Sequence, residues 1–248
     1  MTNVAFQPTV EVLPTSADVA NRAATLIADV VTQKPNCVLG LATGSSPIGC
    51  YQELIRRHKD DGLDFANVTT FNLDEYIGLS AKHPQSYRVF MQENLFDHLN
   101  LATANTHVPD GLCADIDDHC RQYEKLIRDA GRVDLQLLGI GTNGHIAFNE
   151  PGASSDSRTR KIQLAADTIR SNSRFFSSDQ DIPKTAITMG VETILEARKI
   201  VLIATGNSKA DAVATAINGP VDTNCPASFL RLHAEVTFVI DTAAATNI

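Results

Sequence analysis

Leu138–Pro151 reads LGIGTNGHIAFNEP, and this stretch decides the fold. The apolar run Val133–Ile140 enters it, and Gly139, Gly141 and Gly144 turn the run into a loop. His145 follows the last of these glycines, and Glu150 comes five residues later. A short apolar run bounded by glycines reads as a buried strand. Ionisable groups just beyond it are what an open α/β sheet presents at the carboxyl ends of its strands.

Outward from this stretch, strands and helices alternate. Val4–Leu13 reads as an edge strand limited by Pro8 and Pro14. Ser16 is the candidate cap of a helix to about Thr32, with Val19, Ala23, Ile27 and Val31 on one face. Cys37–Ala42 is a strand, Thr43–Pro47 a turn and Ile48–Lys59 a helix. Val68–Leu73 is the next strand, followed by a helix from Ser86 to about His98 and another over Asp115–Ala130. Beyond the glycine turn, helices are expected at Asp167–Phe176, Val191–Glu196 and Ser208–Ile217. Strands are expected there at Ala186–Met189, Lys199–Ala204 and Val236–Ile240. The alternation predicts an α/β fold: a doubly wound, mainly parallel sheet with helices on both faces. No linker, repeat or low-complexity tract divides residues 1–248, so a single domain is expected. The interruption at about Gly152–Ser178 is a candidate lid over the sheet's carboxyl edge.

Composition narrows the function. Of the 248 residues, 43% are hydrophobic and 20% charged, which suits a soluble chain with a substantial core. The net charge of −8 argues against a broad nucleic-acid face, which needs clustered cations. A single phosphorylated metabolite remains compatible, because local cations and backbone N–H groups suffice for it. The five cysteines form no CxxC pair, and an odd number points to free thiols and a reducing compartment. The first residues lack the basic and apolar regions of a signal peptide, and no run has the length of a membrane span. A cytoplasmic protein is the expectation.

Several turns carry chemistry. GLATGSSP (Gly40–Pro47) places Thr43, Gly44, Ser45 and Ser46 between a strand and a helix N-terminus. Hydroxyl donors and the helix dipole suit an anion there, and a plain strand–helix turn is the competing reading. FNLDEYIG (Phe71–Gly78) puts Asp74 and Glu75 at a strand end. Neighbouring carboxylates in a cleft can poise one of them as a base, or the pair can be a solvated turn. His145, alone among seven histidines, lies in a glycine turn after a buried strand. Its imidazole suits proton exchange with Glu150 orienting it, against a capping or core histidine. Arg174 in NSRFF and Lys209 in TGNSK are cations that suit a phosphomonoester, and each alone reads equally as a surface charge. The metal signature HExxH and the serine-hydrolase signature GxSxG are both missing. GIGTNG has the glycine spacing of a dinucleotide loop, but lies mid-chain with a histidine after it.

TGSSP, FNLDEYIG, HPQSY (His83–Tyr87), LGIGTNGHIAFNEP, SRTR (Ser157–Arg160), NSRFF and TGNSK follow one another over about residues 35–235. In order and spacing they resemble the glucosamine-6-phosphate deaminase (isomerase) family. The related 6-phosphogluconolactonases usually follow their histidine motif with a phrase like LFPG, so Phe148–Pro151 points to the deaminases. The resemblance implies that Asp74 shuttles a proton between C2 and C1 of an open-chain sugar. It implies that His145, with Glu150 and the residue at 143, assists ring opening. Ser45, Ser46, Arg174 and Lys209 would hold the phosphate. No metal or organic cofactor is required, and the partner is a small sugar phosphate.

Two departures matter. Asn143 stands where many members carry Asp, so the tuning of His145 leans on Glu150. Arg160 matches a cation of an allosteric N-acetylglucosamine 6-phosphate site in some relatives, but Ile162 replaces a lysine there. Weak or absent activation is therefore expected, with a monomer or small homo-oligomer rather than a hexamer. The competing functions are a lactone hydrolase on the same fold and a non-catalytic sugar-phosphate sensor. A sensor should carry a DNA-binding segment, and none is visible.

Overall fold

Strands that are apolar on both faces need a layer on each side, and the core is built that way. The structure is a computed structural model describing residues 5–165, 169 and 182–248. The strands are β1 (Thr9–Leu13), β2 (Val38–Leu41), β3 (Thr69–Asn72), β4 (Asp74–Tyr76) and β5 (Thr106–His107). They continue as β6 (Leu135–Gly139), β7 (Arg160–Gln163), β8 (Thr185–Thr188), β9 (Ile200–Ala204) and β10 (Val236–Asp241). The helices are α1 (Ser16–Gln33), α2 (Ile48–Asp61), α3 (Tyr87–Asn94), α4 (Ile116–Asp129), α5 (Val191–Leu195) and α6 (Ala210–Asn218).

Seven strands form one sheet in the order β1-β10-β9-β6-β2-β3-β5, and every pairing in it is parallel. Successive residues of a strand feed opposite cores. Leu137 and Ile203 face the layer holding Val19, Ile27, Tyr51 and Leu54 of α1 and α2. Leu138 and Leu202 face the layer holding Tyr123 and Ile127 of α4 and Val213 and Ile217 of α6. The doubly wound expectation holds. From β2 the chain moves outward to β3 and β5, whereas from β6 it moves the other way to β9 and β10. The order thus reverses between β2 and β6, the point where open α/β sheets bind ligands.

The structure adds a second, antiparallel sheet in the order β4-β8-β7. Leu73 is the residue that changes sheets. Its N–H donates to Leu41 of β2, and its carbonyl accepts from Met189 beside β8. The expected Ala186–Met189 strand is therefore β8, outside the main sheet. Part of the candidate lid at 152–178 is the strand β7, whereas residues 166–168 and 170–178 lie outside the described residues. The helix expected over Asp167–Phe176 falls almost wholly there. The cap of α1 is Thr15 rather than Ser16. Thr15 Oγ1 accepts from the N–H of Asp18, whose carboxylate accepts from the N–H of Thr15. The capping box needs an acceptor side chain three residues beyond the cap, and Asp18 supplies it for Thr15. Among the described residues no helix is long and apolar enough to cross a membrane.

Candidate active site

A cleft of about 330 Å³ opens at the β2/β6 switch point. The loops after β2, β3, β6 and β9 meet there, bringing together Thr43–Ser46, Asp74, His145 and Lys209. Arg174, expected with them, lies outside the described residues.

Asp74 is the first residue of β4, and its neighbour across the ladder is Thr188. The step from one sheet to the other at Leu73 turns Asp74 into the cleft, yet leaves it only 5% exposed. No donor among the described residues hydrogen-bonds to its carboxylate. Burial first, and the charge of Glu75 second, push its carboxyl up to about 8. Glu75 points the other way, as alternation along a strand requires. It accepts from the backbone N–H groups of Tyr76, Tyr87 and Arg88, at 2.9, 3.0 and 3.1 Å, and so anchors the start of α3. The two carboxylates of the Asp-Glu pair have separate tasks, and only Asp74 faces the cleft.

His145 is one-third exposed and held by hydrogen bonds. Asn143 Oδ1 accepts from the backbone N–H of His145 at 3.2 Å and lies 2.8 Å from His145 Nδ1. Asn143 Nδ2 donates to Glu150 Oε2 at 2.7 Å. The backbone donor and the carboxylate acceptor together fix which end of the amide is oxygen. An amide oxygen only accepts, so Nδ1 carries a proton, and in the neutral ring the lone pair is on Nε2. Glu150 Oε2 is 3.4 Å from Nδ1, so the carboxylate lies close to the ring as well as to the Asn143 amide that touches both.

The turn is shaped to admit this ring. A Cβ on Gly141 would lie 2.2 Å from His145 Cε1, so only glycine leaves room for the imidazole. Gly144 has φ +85°, and a Cβ there would come within 2.5 Å of Cys225 Sγ. Ala147 is held at φ 51°, a strained conformation for a side-chain-bearing residue. Its neighbours tie it down. Phe148 N–H donates to Thr188 Oγ1, and the buried Asn149 amide donates to the carbonyls of Ile146 and Met189. The FNEP phrase is thus pinned to the end of β8, beside Asp74.

On the far side, the Thr43–Pro47 loop leads into α2, and Tyr51 Oη of α2 donates to the carbonyl of Ala42 at 2.5 Å. A Cβ on Gly139 would lie 3.6 Å from Ser46 Oγ, so the loops of β2 and β6 meet there. Lys209 is half-buried and has no ion pair among the described residues, and burial lowers its pKa. Gly206 before it is held by Asp241 of β10, whose carboxylate accepts its N–H at 3.0 Å. Lys209 and the hydroxyl-rich loop therefore line the same cleft as Asp74 and His145. Among the described residues no group of His, Cys, Asp or Glu is disposed to hold a metal ion. Tyr87 and Phe148 also line the cleft and carried no role in the sequence reading. Tyr87 follows the cap Ser86, and this position gave the only advance signal, since a capped helix start projects its first side chains from a fixed point.

A profile of the family of glucosamine-6-phosphate isomerases and 6-phosphogluconolactonases matches residues 14–239. The chain belongs to this family. Within the family it is 49% identical over 231 residues to the glucosamine-6-phosphate deaminase of Thermoanaerobacter pseudethanolicus, covering 93% of this chain and 91% of the relative. It is 51% identical over 237 residues to the corresponding deaminase of Rhodopirellula baltica, covering 96% and 94%. The solved structure of a monomeric glucosamine-6-phosphate deaminase superposes with a TM-score of 0.93 at 44% identity, over 97% of this chain and 100% of that one. The 6-phosphogluconolactonase of Trypanosoma brucei superposes with a TM-score of 0.75 at 23% identity, covering 98% of this chain and 100% of that one, and shares the fold alone.

Proposed function

We propose that this protein is an isomerising deaminase that converts glucosamine 6-phosphate and water to fructose 6-phosphate and ammonia. The observation that carries the reading is the meeting of a buried carboxyl and a hydrogen-bonded imidazole in one cleft that also holds a lysine without an ion pair among the described residues. The deaminase relatives, at 49% and 51% identity, support it over the lactonase alternative.

The chemistry follows from the groups present. The phosphate lies against Thr43, Gly44, Ser45, Ser46 and Lys209, with Arg174 completing the cradle. His145 exchanges a proton at the ring oxygen through Nε2, which opens the pyranose. The new aldehyde makes the C2 proton acidic. Asp74 in its ionised form takes it while O1 takes up a proton from solvent, giving an enolamine, and Asp74 returns its proton to C1 as the nitrogen lone pair forms the C2 imine. The resulting C2 imine adds water and releases ammonia, leaving the ketone. Proton transfers and positioning suffice, and each acid–base group contributes about 10²–10⁴-fold. Asn143 and Glu150 hold the imidazole in the required tautomer. The five free cysteines fit a reducing compartment, so a cytoplasmic enzyme is proposed. The monomeric structural relative supports a monomer.

The test is to incubate the protein with glucosamine 6-phosphate and measure ammonia and fructose 6-phosphate together, at several values between about pH 6 and 9. Equal amounts of both products are expected. No ammonia at any pH would remove the reading, and acid release from 6-phosphogluconolactone would replace it with the hydrolase.

A further inference from the structure

Lys209 reaches the cleft from the turn between β9 and α6, and the backbone of that turn is constrained. Gly206 has φ 87° and ψ 151°, a region essentially reserved for glycine that persists only where the surroundings hold it. Asp241, buried at the carboxyl end of β10, supplies the hold. Both of its carboxylate oxygens accept from the N–H of Gly206, each at 3.0 Å. Oδ1 also accepts from the N–H of Ala244 at 2.8 Å. The carbonyl of Gly206 in turn accepts from the N–H of Lys209 at 3.0 Å. Hydrogen bonds therefore run unbroken from the end of β10 to the backbone of the cleft lysine. The start of this run is fixed, because β9 and β10 stay paired up to Ala204 and Ile240. Asp241 also leaves the lysine's charge free. Its acceptors are spent on two backbone donors, and Lys209 has no ion pair among the described residues.

We infer that Asp241 is a positioning residue for the phosphate grip: it holds the Gly206 turn in the conformation that presents Lys209 to the substrate. The inference rests on the deaminase reading for the identity of that substrate. Asp241 touches neither the phosphate nor the reacting carbons and acts through Gly206. The sign of its effect separates this role from a direct electrostatic one. A carboxylate near an anion site opposes the anion by charge, so its removal would tighten phosphate binding if charge were what mattered. If Asp241 places the lysine, its removal loosens phosphate binding.

Two measurements on wild type, Asp241→Ala, Asp241→Asn, Lys209→Met and the Asp241→Ala/Lys209→Met double variant test it. Phosphorus NMR titration with inorganic phosphate reads the grip without turnover, and steady-state ammonia release reads KM and kcat. In Asp241→Ala, phosphate binding should weaken about tenfold, the scale of a lost hydrogen bond to a charged group. KM for glucosamine 6-phosphate should rise to a similar degree, and by more than kcat falls. In Asp241→Asn the amide oxygen can still accept from Gly206 and Ala244, so the loss should be smaller and of the same sign. In the Lys209→Met background the further loss of Asp241 should change phosphate affinity by less than about twofold, because the group it places is gone. Unchanged or tighter phosphate binding in Asp241→Ala would overturn the inference. So would losses that multiply in the double variant, since these would mark a general loosening of the fold. Should Asp241→Ala fail to fold, Asp241→Asn decides by sign, weaker binding supporting the inference and tighter binding overturning it. A wild type that binds phosphate and releases no ammonia defeats the deaminase reading and leaves the role of Asp241 standing. An active wild type whose phosphate affinity Asp241→Ala does not lower defeats only the role of Asp241.

Discussion

Asp74 and His145 face one cleft and are prepared for proton transfer by opposite means. Asp74 sits at a junction between two sheets, dry and without a hydrogen-bond donor on its carboxyl among the described residues. His145 sits in a partly exposed turn, and its partners Asn143 and Glu150 lie within a few residues of it. Burial tunes the first, and a local hydrogen-bond chain orients the second. The carboxyl therefore depends on long-range pairing, since β4 pairs with β8, which β7 flanks on its other edge. The imidazole depends on one stretch of chain. A change to the first site should register in both rate and stability, while a change to the second should register mainly in rate.

The largest expected effect is that of Asp74→Asn. The amide keeps the shape and cannot take the C2 proton, so ammonia release should fall about a thousandfold. Activity within tenfold of wild type would mean that Asp74 is not the base. The same variant tests the burial argument through stability. The folded carboxyl is raised from 3.8 to about 8, so between those values the native state holds a proton that the unfolded chain has released. The contribution of Asp74 to stability is therefore full below about pH 4, is lost as pH rises, and is gone above about pH 8. Asp74→Asn has no charge to bury. Its Tm should match wild type near pH 4 and exceed it near pH 8, by the equivalent of a few kcal/mol. Parallel Tm curves for the two proteins would break the claim that burial prepares this group.

Gly141→Ala probes the other side and ranks next. The added methyl would lie 2.2 Å from His145 Cε1, so the ring must leave its place beside Asn143. A rate loss of about a hundredfold is expected from displacement on that scale. Inhibition by inorganic phosphate should be unaffected, because the cradle belongs to other loops. If phosphate affinity fell with the rate, the two regions would not be separable as described.

This division also explains what could be read from the chain beforehand. The histidine turn was legible because its determinants are local: an apolar run, glycines, then His145 and Glu150. The parallel sheet was legible for the same reason, each strand–helix unit being punctuated by its own turn. The antiparallel β4-β8-β7 sheet was not. Asp74–Tyr76 is too short to announce a strand, and its partner Thr185–Thr188 is remote in sequence. Without that pairing nothing reveals that Asp74 is buried, or that Glu75 turns away to anchor α3. The choice of Thr15 over Ser16 as cap was open to inspection, because Asp18 stands at the capping-box distance from Thr15 alone.

The smallest effect, and the finest test of the contrast, is Asn143→Asp. The introduced carboxylate can still accept from the backbone N–H of His145 and from Nδ1. It cannot donate to Glu150, whose Oε2 is 2.7 Å from Asn143 Nδ2. Two acids would then face each other beside the ring, and like charges at that separation favour holding a proton. Activity should stay within about tenfold, because the ring keeps its place and its tautomer. The pH dependence should change, since a proton shared by the introduced carboxylate and Glu150 would now titrate within the turn. A pH–rate profile that overlays wild type would show that the amide only orients the ring and plays no electrostatic part. The corresponding profile for Asp74→Asn with residual activity should keep whatever feature the turn contributes. Comparing the two variants thus separates the part of the pH dependence that comes from burial at the sheet junction from the part that comes from the hydrogen-bonded turn.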